Sequence, residues 1–114
     1  MSLNKLAKAS IELRALRKEV GEHLKFHNIT YGEFETLYLL KDKELIQPSH
    51  IVVELAHDAG AISRLLSKLH DNNYISYNND EDDRRRVFVQ ITDDGQKLIN
   101  SLLETFVYDQ SDVN

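Results

Sequence analysis

Cysteine and tryptophan are absent from this sequence, and proline and methionine occur once each. Without cysteine there is no disulfide, no thiolate-bound zinc, no thiol nucleophile and no thiol redox sensor. Long apolar runs are also missing. A bilayer-spanning helix needs about 20 consecutive apolar residues, and no stretch approaches that, so no membrane partner is expected. The start, Met1-Ser2-Leu3-Asn4-Lys5, has neither an apolar core nor a small-residue cleavage site. Secretion is therefore not expected, and a cytoplasmic location is. No Gly-rich phosphate loop, nucleophile elbow or paired carboxylates with a base can be found, so no enzyme and no cofactor are expected. Of the five histidines, His23 and His27 stand four apart, a spacing that can chelate zinc. Nothing nearby completes a ligand set, and His50, His57 and His70 show no ligand spacing. No metal site is expected.

What is present is an ordinary soluble mixture over 114 residues, 41% hydrophobic and 29% charged. That length suits one domain. A core this thin, with no covalent staples, gains from oligomerisation. The net charge is −5, which taken alone argues against nonspecific nucleic-acid binding. Its distribution qualifies this. The first 27 residues are net positive, the last 17 carry three acids and no cation, and Arg84, Arg85 and Arg86 form a compact basic point.

The periodicity predicts a long helix over residues 3–27, with Leu6, Ala9, Leu13, Leu16, Val20 and Leu24 on a nearly heptad seam. That seam suits either an ordinary surface helix or one that meets a second subunit. Asn28-Ile29-Thr30 breaks it, and Thr30 with Glu33 forms a capping box for a helix that ends at Lys41-Asp42-Lys43. Ser49, after Pro48, is the expected N-cap of a short helix through Ile51, Val52, Leu55 and Ala56. After the polar break His57-Asp58-Ala59-Gly60, Asp58 caps a helix with Ile62, Leu65, Leu66 and Leu69 inward. Tyr74-Ile75-Ser76-Tyr77 and Val87-Phe88-Val89-Gln90-Ile91 read as strands, joined by a charged loop over residues 78–86. Thr92-Asp93-Asp94-Gly95 opens a last helix striped by Leu98, Ile99, Leu102, Leu103, Phe106 and Val107. The tail from Asp109 is expected to fray. Two helices across a four-residue turn, followed by a two-stranded ribbon, give a mainly α chain with a small β-ribbon (α+β). This is the layout of a winged helix-turn-helix.

Four stretches carry a family resemblance. They are Ile29-Thr30-Tyr31-Gly32-Glu33-Phe34 with Leu37; Pro48-Ser49-His50-Ile51-Val52-Val53-Glu54-Leu55-Ala56; Ala59-Gly60-Ala61-Ile62-Ser63-Arg64-Leu65-Leu66-Ser67-Lys68-Leu69; and Asp83-Arg84-Arg85 followed by Val87 to Gly95. In this order they resemble the MarR family of winged-helix transcriptional regulators over about residues 29–100. The resemblance implies a dimerisation helix at 1–28, a winged helix-turn-helix at 29–92 and a shortened C-terminal dimerisation helix and tail at 93–114. It implies a homodimer that binds double-stranded DNA at a pseudo-palindromic operator, mostly as a repressor. Family members often respond to a small aromatic effector.

Carried onto this chain, the resemblance places Asp58 to Lys68 in the major groove. Ala59, Gly60 and Ala61 would let the helix end approach closely. Arg64 would chelate guanine, Ser63 would touch a base or phosphate, and Lys68 would reach the backbone. Ser49 and His50 would add phosphate contacts. Asp83 would shape the wing, Arg85 would enter the minor groove, and Arg84 and Arg86 would contact phosphate. Leu6, Leu13, Val20, Leu24, Leu102 and Phe106 would build the dimer. Other readings stay open. Arg64 and Lys68 also suit a solvated helix face, and Asp80, Glu81, Asp82 and Asp83 can neutralise the three arginines. A winged-helix module for a protein partner, or a dominant-negative partner of a longer relative, is the alternative function.

Overall fold

The computed structural model describes residues 2–43, 45–55 and 58–113, with side chains through Thr105. Two compact units, Met1–Phe34 and Glu35–Asn114, divide the chain.

The first unit is helix α1 (Leu3–Phe26) and the opening of α2 (Tyr31–Leu40). Asn28 closes α1 in the left-handed region, at φ 56°. Its N–H donates to Lys25 O, and the Ile29 N–H donates to Leu24 O at 3.0 Å. This is the paired bonding of a Schellman end, with asparagine in the place glycine usually takes. The capping box forms as expected: the Glu33 N–H donates to Thr30 Oγ1 (3.2 Å) and the Thr30 N–H to Glu33 Oε1 (3.1 Å). The Arg17 guanidinium lies 4.7 Å from the Tyr31 ring centroid, a cation–π contact that ties α1 to the start of α2.

The second unit continues α2 and adds α3 (Pro48–Leu55), α4 (Ala59–Asp71), β1 (Ile75–Asn79), β2 (Val87–Ile91) and α5 (Asp93–Val113). Leu37, Leu40, Ile51, Ile62, Leu66, Leu69, Ile75, Val89, Ile99 and Leu102 are its buried core. The helical members recur at the three- and four-residue spacings that put one stripe inward. β1 and β2 pair antiparallel, with Ile75 opposite Ile91 and Tyr77 opposite Val89. Ile46 adds a bridge that no periodicity announces. Its N–H and carbonyl both bond to Val89, at 3.0 and 2.7 Å, so the ribbon gains a third short edge.

Three boundaries differ from expectation. α3 starts at Pro48, so Ser49 is a first-turn residue and not its N-cap. Proline suits the first helical position because the N–H it lacks would have no partner there. β1 begins at Ile75 and runs to Asn79, which shortens the wing loop to residues 80–86. α5 continues to Val113, past the expected fraying point. Among the described residues no helix is long and apolar enough to cross a membrane.

The junction between ribbon and helices rests on Thr92 and Gly95. The Thr92 hydroxyl donates to Asn73 O (2.6 Å) and accepts from the Gly95 N–H (3.1 Å), while its own N–H donates to Tyr74 O. A Cβ on Gly95 would overlap the Tyr74 carbonyl oxygen and lie 2.8 Å from Ile91 Cγ1. Glycine is needed here for close approach, since its φ is not positive. Replacing Gly95 with alanine is expected to cost about 1–3 kcal/mol through overpacking. A urea-denaturation midpoint measured on Gly95→Ala should fall accordingly.

Candidate nucleic-acid interface

Asp58 stands before α4 in extended conformation, and its Oδ1 accepts the Ala61 N–H at 2.8 Å. It is the expected N-cap. Ala59 and Gly60 are exposed and Ala61 half-buried, so the helix end is sterically open. A Cβ on Gly60 would sit 3.2 Å from Asp58 Oδ1 and 3.5 Å from Arg64 Nη1. The Asp58 carboxylate and Arg64 guanidinium therefore converge over Gly60. Helical side chains lean toward the N-terminus, which carries Arg64 back over that end. Ser63, Arg64, Ser67 and Lys68 are all exposed, while Ile62, Leu66 and Leu69 anchor the opposite face.

The far end of α4 is pinned in two ways. Asn73 takes φ 65°, and its N–H and that of Tyr74 donate to His70 O and Leu69 O, a second Schellman end. Tyr77 of β1 then packs on the helix, its ring centroid 5.0 Å from that of His70. Burial pushes the Tyr77 phenol above its ordinary value of 10.0, a hydrogen bond with Ser67 opposes the rise, and the Asp71 charge adds to it. The phenol is neutral at physiological pH. Sequence reasoning misses this contact because it pairs a helix with a strand.

In the wing, the Asp83 Oδ1 accepts both the Arg85 N–H (3.1 Å) and Arg85 Nε (3.2 Å). Arg85 is 93% exposed at its side chain. Arg86 Nη1 lies 3.5 Å from Asp80 Oδ2. Asn79 Nδ2 donates to Arg84 O at 2.8 Å. An open groove joins the root of this wing to the start of α3, lined by Gln47, Pro48, Ser49, Asp83, Arg85, Arg86 and Val87. Ser49 and two of the predicted arginines thus share one surface. Gln47, which no sequence motif singles out, lines it too. His50 turns along α3 toward Glu54, at 3.7 Å.

The dimer residues separate. Leu6 and Leu13 are exposed and Val20 is half-buried, leaving an uncovered apolar stripe on α1. Leu24 and Leu102 differ from them, being 1% and 2% exposed within the single chain. Phe106 lies outside the described side chains, and His57 outside the described residues. Among the described residues no three His, Asp or Glu gather as a metal-binding set.

A family model for the transcriptional regulator SarA/Rot matches residues 19–102. This chain belongs to that family. The match takes in α2 to β2 and the whole region, about residues 29–100, that carried the MarR-type resemblance, which is borne out. The HTH-type transcriptional regulator MgrA of Staphylococcus aureus is 34% identical over 74 residues, 65% of this chain and 50% of MgrA. SarZ of Staphylococcus epidermidis is 25% identical over 81% of this chain and 62% of its own length. The SarA/Rot-family chain thus spans about half the length of the curated relatives it matches. Its fold is that of wild-type MarR from Escherichia coli (TM-score 0.81, 22% identity, covering 96% of this chain and 79% of MarR). It is equally that of an S. aureus MepR variant bound to an oligodeoxyribonucleotide (TM-score 0.79, 20% identity, 99% and 82%). The winged-helix, mainly α architecture read from the sequence stands.

Removing the α4 cap by Asp58→Ala is expected to cost about 1 kcal/mol, and Asp58→Ser to recover most of it. Thermal denaturation of the two variants side by side checks the order.

Proposed function

We propose that this SarA/Rot-family chain is a non-enzymatic regulator that acts in the cytoplasm as a homodimer on a pseudo-palindromic DNA operator, chiefly as a repressor by occupying it. The observation that carries this reading is the wing. Its most exposed arginine, Arg85, is held by Asp83 through both backbone and side chain, in the same unit as an α4 whose open end carries Arg64. Preorganised cations lose less freedom on binding than floppy ones. Arg64 reads a guanine edge in the major groove, Ser63 and Lys68 flank it, and Arg85 enters the minor groove beside it. Ser49 in the groove at the wing root and His50 behind it meet backbone phosphate. Arg84 adds a further phosphate contact.

A dimer places two α4 helices about 34–36 Å apart, one turn of DNA. The exposed stripe of Leu6 and Leu13, continued by Val20, supports α1 as the part that meets the second copy. The MepR variant carries an oligodeoxyribonucleotide, and the shared fold supports the same role here. A small aromatic effector belongs to the same proposal. A second reading, a winged-helix module for a basic protein partner, is favoured by the exposed Glu81 at the wing tip and the acidic residues around it.

The two readings separate in a salt-dependent gel shift with DNA upstream of the chain's own gene. Nanomolar, competitor-resistant binding is expected of the regulator, and only weak nonspecific retention of the protein-binding module. Arg85→Ala should weaken binding and lower the salt slope by about one unit per lobe. An unchanged slope would remove Arg85 from the interface.

A further inference from the structure

The wing carries three consecutive arginines beside four consecutive acids, and the structure does not treat the arginines alike. Arg85 touches its acid through Nε and the backbone N–H, so its terminal nitrogens stay outside the contact. Arg86 meets Asp80 through Nη1, the end that would reach a phosphate. The side chain of Arg86 is 54% exposed against 93% for Arg85, and that of Asp80 22% against 39% for Asp83. Asp80 is also bound on two further sides. Its Oδ1 accepts the Asp82 N–H at 2.9 Å, and its N–H donates to Arg86 O at 3.0 Å.

We propose that Asp80 is the positioning residue of the wing and that Arg86 is its strut, turned onto Asp80 and withdrawn from DNA. The inference rests on the DNA-binding reading above and deepens it. An exposed ion pair contributes little alone. Here the same aspartate closes the hairpin through its backbone and caps the turn through one carboxylate oxygen, while the other holds Arg86. The Arg86 carbonyl and side chain are both tied to Asp80, so the residue immediately before it, Arg85, is presented at the rim of the wing. An arginine whose terminal nitrogen is turned onto its own aspartate, unlike one held through Nε, makes no phosphate contact and displaces no counterion from DNA. Arg86 therefore adds nothing to the salt dependence of binding, although by composition it is the equal of Arg85.

The test uses the full chain and one duplex, selected by the wild-type protein from a random-sequence pool, with affinity measured across a salt series. Arg85→Ala should lower the salt slope by about 0.9 per lobe, the value of one phosphate contact. Arg86→Gln should weaken binding severalfold at every salt concentration with the wild-type slope retained. Asp80→Asn keeps an acceptor for the Asp82 N–H but releases Arg86, so its slope should rise by about 0.9 per lobe. The exchange Asp80→Arg with Arg86→Asp should restore the wild-type slope. Circular dichroism on each variant establishes that the fold is kept. A slope that falls in Arg86→Gln as far as in Arg85→Ala overturns the proposal while leaving the DNA-binding reading intact. A wild-type protein that selects no duplex overturns both.

Discussion

The side chain of Thr92 sits where three segments end: α4 has just closed, β2 has just finished and α5 is about to start. Its hydroxyl serves both Asn73 O and the Gly95 N–H, and its N–H serves Tyr74 O. Of these groups the N–H of buried Gly95 depends most on the bond, since an unpaired buried polar group costs about 1–3 kcal/mol. The absence of a side chain on Gly95 lets the Tyr74 carbonyl come close enough for this to work. The ribbon is thereby fastened to the end of α4. Asn73 Nδ2, donating to Asp94 Oδ2 at 3.0 Å, adds a second tie across the same junction.

What the junction joins is a helix and a wing with different electrostatic designs. At the open end of α4, a capping carboxylate and a guanidinium converge over a glycine, so the local charge is nearly balanced. In the wing, acids outnumber arginines, and two of the four acids shape the hairpin. Asp83 orients Arg85 and Asp80 closes the turn. In the proposed DNA-binding role, a net charge of −5 would restrain indiscriminate attachment to nucleic acid, and the oriented cations would supply attraction at chosen points.

Much of this architecture is legible in the sequence because it is local. The Thr30–Glu33 box and the Asp58 cap need residues three apart, and both form as expected. The core stripes of α3 and α4 follow from helical period. Where expectation and structure part, competing or non-local preferences decide. Serine favours the cap position, which points to Ser49, but Pro48 is even better suited to start the helix one residue earlier. Leu24 and Leu6 lie on one seam in the sequence, and only tertiary packing decides that the first is buried and the second exposed. That Asp83 shapes the wing follows from the family signature. The pairing of Arg86 with Asp80 does not, because four adjacent acids and three adjacent arginines are interchangeable on paper. The Ile46–Val89 bridge and the Tyr77–His70 contact join residues on different elements and leave no periodic trace.

The central claim is that α4 and the wing, fastened at Thr92, meet one duplex together. Chemical footprinting of the selected operator tests it directly, reading guanine N7 methylation in the major groove and hydroxyl-radical cleavage in the minor groove. The expected pattern is protected guanine N7 atoms flanked by minor-groove protection on the same face of the helix, the pair repeating after about 34–36 Å. Major-groove protection with unprotected flanks, or with flanks protected on the opposite face, would contradict it.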